Sequence, residues 1–210
     1  MAARLKAALA EGRVTRVFGL GQLCHPKFIE IVGLEGGFDA VWLDQEHAGL
    51  TTAQIEEAAR AARGCRGVNG TGADGRYGAM PGPEYFRRAN AETVVAVQIE
   101  HADAVEDVER IAAVPDLDFL FIGPADLSQS MGIPGEWEHP RMWAAVERTA
   151  RAAAANGVAW AILPRDAAHA RRCVGLGCRM LSIGMDAWAF QKGLAAIQGD
   201  FAEFFGERPA

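Results

Sequence analysis

The chain has 210 residues, enough for one large domain, with a formal net charge of −6 at pH 7 and a sequence pI near 5.4. Half of the residues are hydrophobic and 23% are charged, so a sizeable core can form. The acidic balance argues against a nucleic-acid or acidic-membrane partner, which would favour a basic face. No apolar run approaches the ~18 residues needed to span a bilayer. The N-terminus lacks the apolar stretch of a secretory signal, and a cytoplasmic location is expected.

In chain order, M-A-A-R-L-K-A-A-L-A-E-G reads as a short amphipathic helix stopped at Gly12. Apolar, β-branched runs then predict strands at residues 14–20, 38–43, 93–99, 117–122, 157–163 and 179–183. Helical patterns follow at 26–34, 52–63, 102–114, 140–156, 165–174 and 187–197. Asn156-Gly157 and Gly175-Leu176-Gly177 are helix stops. Strands apolar on both faces that alternate with helices predict a parallel α/β sheet in one domain over residues 1–210. A TIM-type (β/α)8 barrel leads, here with about six units, and a doubly wound open sheet is the runner-up. Residues 64–82, G-C-R-G-V-N-G-T-G-A-D-G-R-Y-G-A-M-P-G, hold seven glycines and no strand. Without a phosphate-binding glycine pattern they read as a loop near the active site. The four cysteines show no metal spacing and read as reduced thiols.

Chemistry in parallel α/β folds sits at the carboxyl ends of the strands. Three strands here end in acids: W-L-D-Q-E-H with Asp44, Glu46 and His47; V-Q-I-E-H with Gln98, Glu100 and His101; and F-I-G-P-A-D-L-S with Asp126. Residues two apart in a strand share a face, so Gln98 pairs with Glu100 and Asp44 with Glu46. Carboxylates gathered at one rim repel unless a cation or proton lies between them. Such a set suits Mg²⁺ or Mn²⁺, and Glu100 and Asp126 are the candidate ligands. The competing structural readings are a helix cap for Asp126 and a hydrogen-bonded structural histidine for His47. The chain's lysines are Lys6, Lys27 and Lys192, and none ends a strand. This argues against a Schiff base. There is no G-x-S-x-G elbow.

F-D-A-V-W-L-D-Q-E-H-A, V-A-V-Q-I-E and D-F-L-F-I-G-P-A-D-L-S-Q-S-M-G, in this order, resemble the metal-dependent (class II) pyruvate aldolases of the HpcH/HpaI type. The final S-I-G-M-D fits as well. The resemblance implies a (β/α)8 barrel that cleaves or forms 4-hydroxy-2-oxo acids, with pyruvate and an aldehyde as the two partners. It implies a divalent cation, Mg²⁺ or Mn²⁺ with Co²⁺ as a further option, held by Glu100 and Asp126. His47 is implied as the general base and Asp44 as its orienting carboxylate. Gln98 and the backbone N–H groups of Ala125 and Asp126 are implied on the substrate. Glu46 is left to a structural or supporting role that the motif does not explain. A homo-oligomer is implied too.

The sequence departs from that family between the 52–63 helix and C-R-G-V-N-G, where the family has two more β/α units. The third family strand carries an arginine that grips the pyruvate oxygen. It has no positional equivalent here, and Arg66 and Arg76 match later family segments. The alternative expectation is therefore an impaired paralogue that binds metal and oxo acid without efficient turnover.

Overall fold

The computed structural model describes residues 2–23, 25–44, 81, 83–84, 87 and 94–204. Within them, helix α1 (Ala2–Ala10) leads into β1 (Thr15–Leu20), α2 (Pro26–Glu35) and β2 (Ala40–Leu43). After these come β3 (Ala96–Ile99), α3 (Ala102–Glu106), α4 (Val108–Ala112), β4 (Phe119–Ile122) and α5 (Pro124–Ser130). The chain continues through α6 (Pro140–Asn156), β5 (Ala159–Ile162), α7 (Ala167–Gly175), β6 (Met180–Met185) and α8 (Asp186–Asp200). All strand pairs are parallel, in the order β2-β1-β6-β5-β4-β3. The first and the last described strands are therefore neighbours in the sheet. No helix among the described residues is long and apolar enough to cross a membrane.

Alternation along the strands divides the apolar residues into two layers. One face carries Val17, Phe119, Ala161 and Met180, with Ala40, Trp42, Phe121 and Ala159 against them, and Leu9 of α1 reaches the same cluster. The other face carries Ile99, Leu120, Ile122, Trp160, Ile162 and Leu181, which pack on the helices. Helix α6 gives this layer Met142, Trp143, Val146 and Ala150 at helical spacing. Strands β1, β4 and β5, largely buried, account for their continuous apolar runs, whereas Ala96, Val97 and Gln98 of β3 are exposed among the described residues. Where β1 meets β6, a Cβ on Gly19 would lie 2.0 Å from the Met185 sulfur. The close approach coincides with a register shift between Val17 and Gly19. Any larger residue here would require the Met185 side chain to move.

Six predicted strands appear within a few residues of their expected limits. One helical expectation changes, and one further helix appears. The pattern at 102–114 is two helices, broken at Asp107 with φ −99° and ψ 8°. Its carboxylate takes a hydrogen bond from Arg110 at 3.1 Å. Gly123-Pro124-Ala125-Asp126 is the start of α5, with Pro124 in its first turn. Proline's fixed φ suits that position. The predicted helix at 52–63 and residues 64–80 and 82 of the glycine-rich stretch lie outside the described residues. So does the stretch in which two β/α units were expected to be absent.

Candidate active site at the carboxyl end of the sheet

Strand β3 pairs with β4 so that Gln98 lies beside Phe121 and Ile99 beside Ile122. Glu100 therefore falls level with Gly123, and the Gly123 N–H donates to the Ile99 carbonyl at 3.2 Å. Gln98 and Glu100 share a face, and the Gln98 amide Nε2 donates to Glu100 Oε2. The two side chains occupy the space over Gly123: a Cβ there would meet Gln98 Nε2 at 3.0 Å, Glu100 Oε2 at 3.1 Å and Glu100 Cβ at 3.2 Å. The F-I-G-P-A-D motif thus uses its glycine to let a carboxylate and an amide lie flat against the backbone where α5 begins.

Helix α5 carries Ala125, which is exposed, and Asp126 in its first turn, partly exposed. An acid suits this end of a helix dipole. Two serines fix the helix. Ser128, fully buried, donates to the Ala125 carbonyl at 2.7 Å and accepts the Gly135 N–H at 3.0 Å. Ser130 accepts the Ala102 N–H at 2.8 Å, which ties the end of α5 to the turn after Glu100. The two elements bearing Glu100 and Asp126 are thereby cross-linked at both ends. His101 is used as the cap of α3, its Nδ1 accepting the Asp103 N–H at 3.3 Å.

At the other end of the described strand order, Asp44 follows β2, and its N–H donates to the Leu20 carbonyl at 2.8 Å. Two residues before it on the same strand, Trp42 donates through Nε1 to Ser182 Oγ at 3.0 Å and meets the Phe121 ring at 6.1 Å between centroids. Trp42 and Phe121 form an apolar floor one layer below Asp44 and Gly123. The structure therefore brings Gln98 and Glu100 into contact, sets them against the origin of the helix bearing Ala125 and Asp126, and places Asp44 at the end of β2, the opposite terminal strand among the described ones. Glu46 and His47 lie outside the described residues.

Among the described residues no group of three or more histidine, cysteine or acidic side chains is arranged to hold a metal ion. Glu100 and Asp126 offer the hard oxygen ligands that such a cation takes. Mg²⁺ is commonly held by one or two carboxylates, with waters and substrate oxygens completing its shell. Two residues gained no role from sequence pattern. Gly123 was visible only as part of a motif, and the space it leaves becomes apparent from the strand register. Asp186, within S-I-G-M-D, is a buried carboxylate at the start of α8.

The chain matches the HpcH/HpaI aldolase/citrate lyase family model over residues 51–192. The chain belongs to this family. A relative named hydroxypyruvate/pyruvate aldolase, from Cupriavidus necator, is 37% identical over 127 residues, covering 60% of this chain and 47% of the relative. A pyruvate aldolase from Rhizobium etli is 36% identical over 157 residues, 71% of this chain and 61% of the relative. The chain spans about half the length of these curated relatives. The crystal structure of an HpcH/HpaI aldolase from Desulfitobacterium hafniense superposes with a TM-score of 0.82 at 26% identity, covering 98% of this chain and 99% of that one. The six-stranded parallel sheet is thus the TIM-like sheet of HpcH/HpaI proteins.

Proposed function

We propose that the chain is a divalent-metal-dependent carbon–carbon lyase that cleaves or forms 4-hydroxy-2-oxo acids, with pyruvate and an aldehyde as the two partners. The observation that carries this reading is the contact of Gln98 and Glu100 over Gly123, at the origin of the helix bearing Asp126. Family membership supports the same chemistry. So do the relatives' names. A barrel shortened to about six β/α units and a homo-oligomeric assembly belong to the proposal.

Glu100 and Asp126 would hold Mg²⁺ or Mn²⁺, which when bound supplies Lewis-acid stabilisation of a developing enolate. Gln98 fixes Glu100 through its amide and orients substrate or water. The first N–H groups of a helix lack intrahelical acceptors, so those of Ala125 and Asp126 suit the carboxylate of the oxo acid. His47 would take the proton of the 4-hydroxyl, oriented by the Asp44 carboxylate. As that proton leaves, the C3–C4 bond breaks. Its electron pair passes to the pyruvate fragment, which takes up a proton at C3, and the aldehyde departs.

The test is pyruvate release from a 4-hydroxy-2-oxo acid, with and without EDTA. Turnover that needs Mg²⁺ or Mn²⁺ and falls about 10²–10³-fold in Glu100→Gln or Asp126→Asn is expected. A rate untouched by chelation refutes the metal role. Pyruvate and Mn²⁺ binding with no turnover at high protein concentration would replace the lyase with a binding protein.

A further inference from the structure

We propose that Asp186 is a positioning residue that sets the main chain carrying Asp44, and this rests on the role given to Asp44 above. Asp186 is only 1% exposed and begins α8, at the far end of the sequence from the strand it serves. Its Oδ2 accepts the N–H of Gly21 at 2.8 Å and that of Leu23 at 2.6 Å, while Oδ1 accepts the N–H of Ala187 at 2.7 Å. A buried carboxylate is costly without such donors, and these three satisfy it. The same contacts give acceptors to two loop N–H groups immediately beyond β1.

The path onward is short. Gly21 follows Leu20, and the Leu20 carbonyl accepts the Asp44 N–H at 2.8 Å. A buried anion at the β6–α8 junction thus pins the end of β1, and the end of β1 pins the residue that ends β2. Strand β1 is the sheet neighbour of both β2 and β6, so one carboxylate fixes three adjacent strand ends at the rim. A residue that only stabilised the fold would need no link of this kind to Asp44. Supporting groups of this sort commonly govern activity about 10–100-fold through the residues they orient.

The test uses the full chain and pairs Asp186→Asn with Asp44→Asn. Asp186→Asn is expected to lower kcat for pyruvate release about 10–100-fold, with KM for the oxo acid within about twofold. In the Asp44→Asn background the same change should cost less than about threefold, because residues acting through one another are not additive. Amide hydrogen exchange read residue by residue should quicken at Gly21, Leu23 and Asp44 together. Additive losses in the cycle, or exchange that quickens at Gly21 and Leu23 but not at Asp44, overturn the proposal. If the unaltered chain releases no pyruvate, the lyase reading fails by itself and the exchange measurement alone decides the positioning role. Should Asp186→Asn not fold, Asp186→Ser, which keeps a hydroxyl acceptor, is read against the same outcomes.

Discussion

Substituting Gly123 by alanine tests the site with one methyl group. Its φ of −96° is open to any L-residue, so the backbone gives no penalty and the effect is steric. The new Cβ would lie 3.0 to 3.2 Å from Gln98 Nε2, Glu100 Oε2 and Glu100 Cβ, against an ordinary contact of 3.4–4 Å. The two side chains must retreat by a few tenths of an ångström. That approaches the tolerance of about 0.5 Å within which a preorganised site keeps its function. Overpacking at a buried position costs about 1 kcal/mol or somewhat more, which lowers Tm by about 2–4 °C in a chain of this size. The functional loss should be larger in proportion: about 10–100-fold in Mn²⁺ affinity, or roughly 1.4–2.7 kcal/mol. Calorimetric Mn²⁺ titration in the presence of pyruvate, with a melting curve, separates the two effects. Gln98→Ala in the Gly123→Ala background vacates one of the three contacts and should recover part of the Mn²⁺ affinity. If Gly123→Ala binds Mn²⁺ within twofold of the unaltered chain, Glu100 is not held against this backbone when it meets its ligand, and the site assignment fails.

Two pH predictions follow from burial. His169 is 3% exposed, with Nδ1 accepting the Arg165 N–H at 3.1 Å and the Trp143 ring edge-on at 4.8 Å. Burial pushes its pKa below the ordinary 6.5, opposed by the charge of Glu138. The native state therefore holds the neutral ring, and its contribution is complete above pH 6.5 and lost as pH falls below it. His169→Gln should flatten the dependence of Tm on pH between about 7.5 and 5; parallel curves would refute this. Cys173 and Cys178 are free and buried, and burial pushes their thiols up to about 11 and about 12 from 9.0. The folded chain favours the neutral thiols, so stability declines as pH rises from 9.0 through those values. In a Cys24→Ser/Cys65→Ser chain, a thiol reagent at about pH 8 should label neither cysteine until the protein unfolds. Prompt labelling of the native chain would show that the thiols are accessible.

The strands were legible because each is apolar on both faces, and no surface helix has that pattern for so few residues. The acids ending β2 and β3 were legible for the opposite reason: charge following directly on an apolar run marks a strand's exit to a rim. Helix α5 was hidden. Gly-Pro-Ala-Asp has the chemistry of a turn and of a helix start alike, and only the buried Ser128 and the Ser130 link to Ala102 show which is formed. The break at Asp107 was also hidden, since one aspartate scarcely disturbs an apolar period. Gln98 and Glu100 could be placed on one face from spacing. Their dependence on Gly123 could not, because it is set by the register between two strands. Asp186 was invisible as a functional residue, since its donors, Gly21 and Leu23, are separated from it by most of the chain.

The order of strands in the sheet has a bearing on synthesis. From β3 to β6 each strand lies beside the one made just before it, so residues 94–185 can assemble as they emerge from the ribosome. Strands β1 and β2 are made first, yet among the described strands they join the rest only through β6. Thr15, Arg16 and Val17 must wait for Met180, Leu181 and Ser182. Such distant pairing is slow to form, and until it does the earliest strand pair presents an open edge. The final strand then acts as a latch: its arrival joins the oldest and the newest parts of the chain, and Asp186, the next residue made, secures the closure.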